Sequence, residues 1–106
     1  MCEKYTETQV DVASFCKALA HPARVAIVQY LLSRPDCVCG EIVDELPLSQ
    51  STVSQHLKEL KTVGLIQGTV SGPKVCYCIH PEAWDKFSFL ITPMFNEVKS
   101  KLTCCP

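Results

Sequence analysis

The spacing of the apolar residues changes along this chain of 106 residues, and that change constrains the fold more than any other feature. From residue 6 to residue 63, apolar positions recur every three or four residues, which predicts helices. From residue 65 to residue 80 they alternate with polar positions, which predicts strands. Helical spacing returns after Pro81. A chain of this length supports one hydrophobic core, so we expect a single domain over residues 1–106 that is mainly α with a β-hairpin.

Proline, glycine and serine residues mark the ends of the predicted elements. Pro22 suits the first turn of a second helix, because that position needs no backbone N–H. A short third helix is expected around residues 40–46, and Ser49 is a good N-cap for a fourth. Ser71-Gly72-Pro73 separates the two alternating segments, which predicts a hairpin. Thr92-Pro93 predicts a break or a kink in the last helical region.

The predicted fourth helix is apolar on one side and carries small polar and basic side chains on the other. Hydroxyl and amide groups suit base edges in the DNA major groove, and lysines suit phosphate oxygens. A solvated surface helix gives the same pattern, but a short helix before it and a hairpin after it indicate a winged helix-turn-helix. His56 could either contact phosphate or pack beneath the turn, and the sequence leaves both roles open. The predicted DNA-binding residues are Gln50, Ser51, Thr52, Ser54, Gln55, His56, Lys58, Lys61 and Lys74.

Composition restricts the compartment and the class of protein. The net charge of −1 argues against a uniformly basic DNA-binding surface, so positive charge has to be local. No window approaches the roughly 18 apolar residues of a membrane span, and the N-terminus lacks the order of a secretion signal. We therefore expect a cytoplasmic protein without a membrane partner, in which eight cysteines favour metal binding or redox sensing over a disulfide framework. Without a CxxC motif or a phosphate-binding glycine loop, we expect no enzyme.

Four segments, in this order, closely resemble the ArsR/SmtB family of metal-sensing bacterial repressors: LAHPARVAIVQYL, CVCGEI, STVSQHLKELKTVGLI and GPKVCYCIHP. The resemblance runs from about Ala13 to Trp84. It implies a winged helix-turn-helix with the order α-α-α-α-β-β-α and a homodimer built mainly by the first and last helices. It also implies a repressor that needs no cofactor to bind double-stranded operator DNA and leaves it when an inducing ion binds.

Cys37 and Cys39 resemble the Cys-x-Cys metal site of the arsenic and cadmium/lead branches of that family, although Gly40 stands where those branches usually have aspartate. Residues two apart in a regular helix point about 200° away from each other. We therefore expect Cys37 to precede the third helix and Cys39 to open it. Thiolates select soft ions, and arsenite or antimonite, which take three thiolates, are the expected inducers. The third ligand is left open among Cys2, Cys104 and Cys105.

Alternatives to this assignment concern the inducer and the remaining cysteines. Cadmium, lead or zinc could replace arsenite, and a thiol redox or persulfide sensor would use the same DNA-reading helix. Cys37 and Cys39 could also be half-buried apolar residues. Cys16 is expected in the core. Cys76 and Cys78 share one face of a predicted strand, where packing against the core is the expected role and metal binding the alternative.

Overall fold

A computed structural model describes residues 4–40 and 42–104 of the chain. The elements follow one another in the order α1-α2-β1-α3-α4-β2-β3-α5, which confirms the expected winged helix-turn-helix and adds a short strand before α3. Their bounds are α1 Glu7–Leu19, α2 Pro22–Leu32, β1 Val38–Cys39, α3 Ile42–Glu45, α4 Gln50–Thr62, β2 Ile66–Ser71, β3 Lys74–Ile79 and α5 Pro81–Cys104.

Local side-chain chemistry sets the ends of two helices. Thr6 and Gln9 form a capping box at the start of α1, in which the Gln9 N–H donates to the Thr6 hydroxyl at 3.1 Å. At the start of α4, the Ser49 hydroxyl accepts a hydrogen bond from the Thr52 N–H at 3.3 Å, which confirms the predicted N-cap. Gly64 follows α4 with φ of 85°, a conformation that favours glycine. The sequence therefore specifies both ends of the predicted DNA-reading helix.

The strands form one antiparallel sheet in the order β1-β3-β2. The predicted hairpin is present as β2 and β3, joined by a turn at Gly72, where φ is 62°. The strand β1 pairs with the other edge of β3, where Val38 lies opposite Tyr77 and Cys39 lies opposite Cys76. The segment before α3 is therefore attached to the wing, an arrangement that sequence periodicity did not predict.

Helices and sheet share one apolar core. Phe15 of α1 stacks on Phe87 of α5 with the ring centroids 5.0 Å apart, and the Trp84 indole N–H donates to the Leu65 carbonyl at 3.0 Å. These contacts hold α5 against α1 and against the start of the hairpin. The side chains that solvent reaches least are Ile27, Val53, Leu60, Leu65 and Ile66.

The short third helix expected around residues 40–46 is present as α3, Ile42–Glu45, and it follows a bend at Gly40, where φ is 83°. Two other expectations from the sequence are wrong. No break occurs at Pro93, because α5 continues through it for 24 residues in all. An interior proline removes one backbone hydrogen bond, which the flanking turns of so long a helix can tolerate. Cys16 lies on the exposed side of α1 and not in the core.

Candidate nucleic-acid interface and cysteine site

The polar side of α4 lies on the surface of the protein. Its first turn is organised by the Ser49 hydroxyl, which lies 3.2 Å from the Ser51 hydroxyl and 2.9 Å from the Thr52 hydroxyl. One turn further on, the Gln55 side-chain amide donates to the Glu59 carboxylate at 3.2 Å. Recognition helices read bases mainly from their N-terminal half, which is where these groups are concentrated. The exposed side chains of this face are Gln50, Ser51, Thr52, Ser54, Gln55 and Lys58.

His56 lies beneath α4, with only 8% of its surface exposed. Its Nδ1 accepts a hydrogen bond from the Arg24 Nε–H at 3.1 Å, and its ring packs against the His21 ring with the centroids 4.5 Å apart. Burial, and then the neighbouring His21 and Arg24, lower the pKa of His56, so the ring is neutral near pH 7. Of the two roles considered for His56, the structure shows the packed one, and this residue does not belong to the outward face.

Arg24 connects three helices and was missed by the sequence analysis. From α2 its Nη1 donates to the Ala18 carbonyl at 3.2 Å and to the Lys17 carbonyl at 3.4 Å, near the C-terminal end of α1. The same guanidinium donates to His56 on the buried side of α4. Arg24 therefore positions α4 relative to the first two helices. A lone arginine within an apolar helix was the signal that could have identified it.

A groove of about 400 Å³ lies between α4, β1 and the hairpin. Gln50 and Ser54 of α4 line it, as do Lys74 and Tyr77 of β3 and Cys39 of β1. This groove therefore brings two residues from the predicted reading face, one predicted phosphate contact and one predicted metal ligand to the same surface.

The other two predicted phosphate contacts, Lys58 and Lys61, are exposed on α4. The Lys61 ammonium lies over β2, since a methyl group added at Gly68 would be 3.4 Å from it. Lys61 is therefore placed where α4 meets the hairpin, whereas Lys58 belongs to the outward face.

Four cysteines join β1 to β3. Cys37 forms a disulfide with Cys78, and Cys39 forms one with Cys76, with Cα–Cα distances of 4.6 and 4.1 Å. Because alternate residues of a strand share one face, both bonds lie on the same side of the sheet. We call these four residues the sheet cysteines. The expectation that Cys39 opens α3 is wrong, because this residue is paired within a strand.

The sheet cysteines differ in exposure. Cys37 is exposed, Cys39 and Cys78 are half-buried, and Cys76 is buried, as expected for core packing. With these cysteines in disulfides, the described residues contain no group of three His, Cys, Asp or Glu side chains arranged to hold a metal ion. Of the three residues considered as a third ligand, Cys104 is the last residue of α5, and Cys2 and Cys105 lie outside the described residues.

The last helix presents an apolar stripe to solvent. A surface of this kind is typical of a protein–protein contact. Within residues 4–40 and 42–104, no helix has both the length and the apolar character needed to cross a bilayer. The exposed side chains of the stripe are Met94, Phe95, Val98 and Leu102, and Phe89 is exposed on another side of the same helix.

Comparison with known proteins places this fold in a family. A family model described as "Bacterial regulatory protein, arsR family" matches residues 21–68. The "HTH-type transcriptional regulator YgaV" of Escherichia coli is 35% identical over 73 residues, which cover 69% of this chain and 74% of YgaV. The chain belongs to the ArsR family. The resemblance to this family seen in the sequence is therefore confirmed.

Further relatives agree with the assignment to the ArsR family. The "HTH-type transcriptional repressor SmtB" of Mycobacterium tuberculosis is 49% identical over 61 residues, which cover 58% of this chain and 44% of SmtB. The matched part thus spans less than half of that relative. The structure of HlyU from Vibrio cholerae aligns with a TM-score of 0.67 at 28% identity, covering 83% of this chain and 96% of HlyU. An ArsR-like regulator from Rhodococcus sp. RHA1 aligns with a TM-score of 0.74 at 21% identity, covering 93% and 92%, which supports the fold.

Proposed function

We propose that this ArsR-family protein is a homodimeric repressor that binds double-stranded operator DNA and is released by a thiophilic ion, arsenite or antimonite first. The observation that carries the DNA-binding part is the exposed polar face of α4 beside the groove that Lys74 lines. Amide side chains such as Gln50 and Gln55 can pair with adenine in the major groove. Lys58, Lys61 and Lys74 would neutralise phosphates on either side of that contact.

The apolar stripe of α5 supports the homodimer. Its side chains include Leu102, which is 73% exposed, and Phe95, which is 58% exposed. Burying such side chains stabilises an association by about 25 cal/mol per Å² of apolar surface, before the cost of association is subtracted. A symmetric dimer along α5 would present two copies of α4, as a two-fold symmetric operator requires.

The proposal that the protein senses an ion requires cysteines in the reduced, thiolate form. Thiolates suit soft ions, and Cys37 and Cys39 would supply two of them. A disulfide sulfur offers no thiolate, so both disulfides have to be reduced before an ion can bind. The third thiolate is proposed to come from Cys2, Cys104 or Cys105. Since Cys39 lines the same groove as Gln50 and Lys74, a rearrangement of β1 would reach the DNA-contacting surface.

Salt dependence of DNA binding tests the interface. A fluorescent duplex selected for binding from a random pool is titrated with protein, and anisotropy is recorded at several salt concentrations. Lys58→Gln and Lys74→Gln are each expected to weaken binding and to reduce the slope of log K against log salt by about 1. Lys4→Gln, which changes an exposed lysine outside α4 and the wing, is the control and should leave the slope unchanged. Equal slopes in all three variants would contradict the proposed interface.

Ion titration of the reduced complex tests the inducer. Arsenite, antimonite, cadmium, lead and zinc are added in turn to the protein bound to its duplex. Arsenite or antimonite should release the wild-type protein at the lowest concentration. The double variant Cys37→Ser/Cys39→Ser should stay bound. Release of that variant at the wild-type ion concentration would contradict the proposed ion site. It would not contradict the proposed DNA interface.

A second candidate function is a repressor that senses thiol oxidation or persulfides. The two cross-strand disulfides favour it, because they show that the sheet cysteines lie close enough to form a bond. This candidate keeps the same DNA interface and changes only the signal. Mass spectrometry after peroxide or persulfide treatment, set beside the ion titration, separates the two.

A further inference from the structure

The two disulfides enclose almost the whole DNA-reading unit. Cys37 precedes α3 and Cys78 lies near the end of β3, and their sequence separation is 41. The Cys39–Cys76 bond spans 37 positions within the same segment. Between these cysteines lie α3, α4, β2 and most of β3. Both bonds therefore attach the strand that leads into the helix-turn-helix to the strand that supports the wing.

The disulfide-bonded protein also has an intact DNA-binding surface. The outward face of α4 is exposed and the groove beside it is open while both bonds are present. Oxidation therefore does not require the reading helix to move. The bonds do occupy Cys37 and Cys39, the two sulfurs that the proposed ion site needs. The same atoms cannot serve as disulfide sulfurs and as thiolate ligands.

From this conflict we infer that the sheet cysteines form an oxidation site that makes the repressor insensitive to its inducing ion while it stays competent to bind DNA. This inference rests on the proposed function, because it concerns how that ion site is controlled. It assigns Cys76 and Cys78 of the wing as the redox partners of Cys39 and Cys37. The oxidant is a hydroperoxide.

The reaction at each pair balances as a two-electron oxidation. One cysteine thiolate attacks the terminal oxygen of the hydroperoxide, the O–O bond breaks, and the products are a sulfenic acid and an alcohol, or water when the oxidant is hydrogen peroxide. The thiolate across the sheet attacks the sulfenic sulfur, forms the S–S bond and displaces hydroxide, which leaves as water. Each cysteine pair consumes one hydroperoxide. The two protons of the original thiols end up in the alcohol and in the water.

The difference in exposure sets the order of the two reactions. Cys37 is exposed, whereas Cys76 is buried with 6% of its surface accessible. Oxidants and reductants reach exposed sulfurs first. The Cys37–Cys78 pair is therefore the first to oxidise and the first to be reduced. The inner Cys39–Cys76 pair, which borders the groove, follows.

Peptide mapping under non-reducing conditions tests the assignment directly. The full-length protein is reduced, treated with hydrogen peroxide for increasing times, alkylated and digested. Cys37 linked to Cys78 should appear before Cys39 linked to Cys76. Cys16→Ser, which removes the exposed free cysteine of α1, is the matched control and should give the same links in the same order. Links that join other cysteines, or the reverse order, would overturn the assignment.

Anisotropy on the same samples tests the consequence. The oxidised protein should bind the duplex as the reduced protein does, and arsenite should weaken only the reduced complex, by a factor in the range of about 5 to 150. The variant Cys76→Ser/Cys78→Ser should form neither link on peroxide treatment, because its wing has no partner thiols. Loss of DNA binding on oxidation, or release of the oxidised protein by arsenite, would overturn the inference. A reduced wild type that ignores all ions would instead refute the proposed ion sensing, while the mapped disulfides would stand.

Discussion

Reducing both disulfides should cost a large part of the stability of this protein, and the size of the effect follows from where the bonds lie. The Cys37–Cys78 bond closes a loop with a sequence separation of 41 residues. Chain-entropy reasoning for a loop of that length gives an entropy change of about −13 cal/mol/K in the unfolded state, which is about 4 kcal/mol at 25 °C. The inner Cys39–Cys76 bond adds less, because the outer bond has already brought its two strands together.

Urea denaturation checks this magnitude, with wild type compared with Cys37→Ser/Cys39→Ser, which removes both disulfides; the protein concentrations are kept equal because the stability of the proposed dimer would depend on concentration. In oxidising buffer the wild type should be more stable by about 4 kcal/mol. In reducing buffer most of that difference should vanish. The Cys16→Ser variant should follow the wild type in both buffers. A difference that persists unchanged after reduction would refute the reasoning, because it would then arise from side-chain packing and not from a covalent loop.

Three further predictions concern the packing beneath and beside the reading helix. The pKa of His56 is lowered in the folded protein, so below about pH 6.5 the unfolded chain binds a proton that the folded chain does not. The free energy of unfolding should therefore fall as the pH drops below that value, and it should fall less in His56→Gln. Urea denaturation between pH 7.5 and pH 5 measures both effects. Gly64→Ala should cost about 1–2 kcal/mol in the same assay, since φ is 85° there and the added methyl group would meet only an ordinary contact with Ala83 at 3.8 Å. Phe95→Glu in the exposed stripe of α5 should shift the protein from the proposed dimer to a monomer in analytical ultracentrifugation, whereas Glu97→Lys, about 200° away around the same helix, should not.

Helices were predictable from the sequence wherever the apolar pattern was long and the ends carried specific side chains. Ser49 and Gly64 specified α4, and Pro22 specified the start of α2. The outward face of α4 was predictable for the same reason, since helical spacing alone separates its polar and apolar sides. These features depend on contacts between residues close together in the sequence.

Features that depend on distant residues were not predictable in the same way. The strand β1 has two residues, too few to show alternation, and it exists because β3 pairs with it 37 or more positions later. The buried position of His56 depends on Arg24, which lies 32 residues earlier in the chain. Cys16 has the helical spacing of the apolar residues of α1, but the core covers only part of that apolar face, and Cys16 lies on the uncovered part.

The position of β1 changes the route by which a signal at Cys37 and Cys39 would reach DNA. The sequence suggested a route through the start of α3, but α3 has only four residues and begins after the paired cysteines. The covalent and hydrogen-bonded neighbours of Cys39 are in β3, and the same strand carries Lys74 at the wing tip. A rearrangement of β1 would therefore move the wing relative to α4 before it moved α4 relative to the core. Because Arg24 and His56 hold α4 from beneath, the wing is the part of the interface that can yield first.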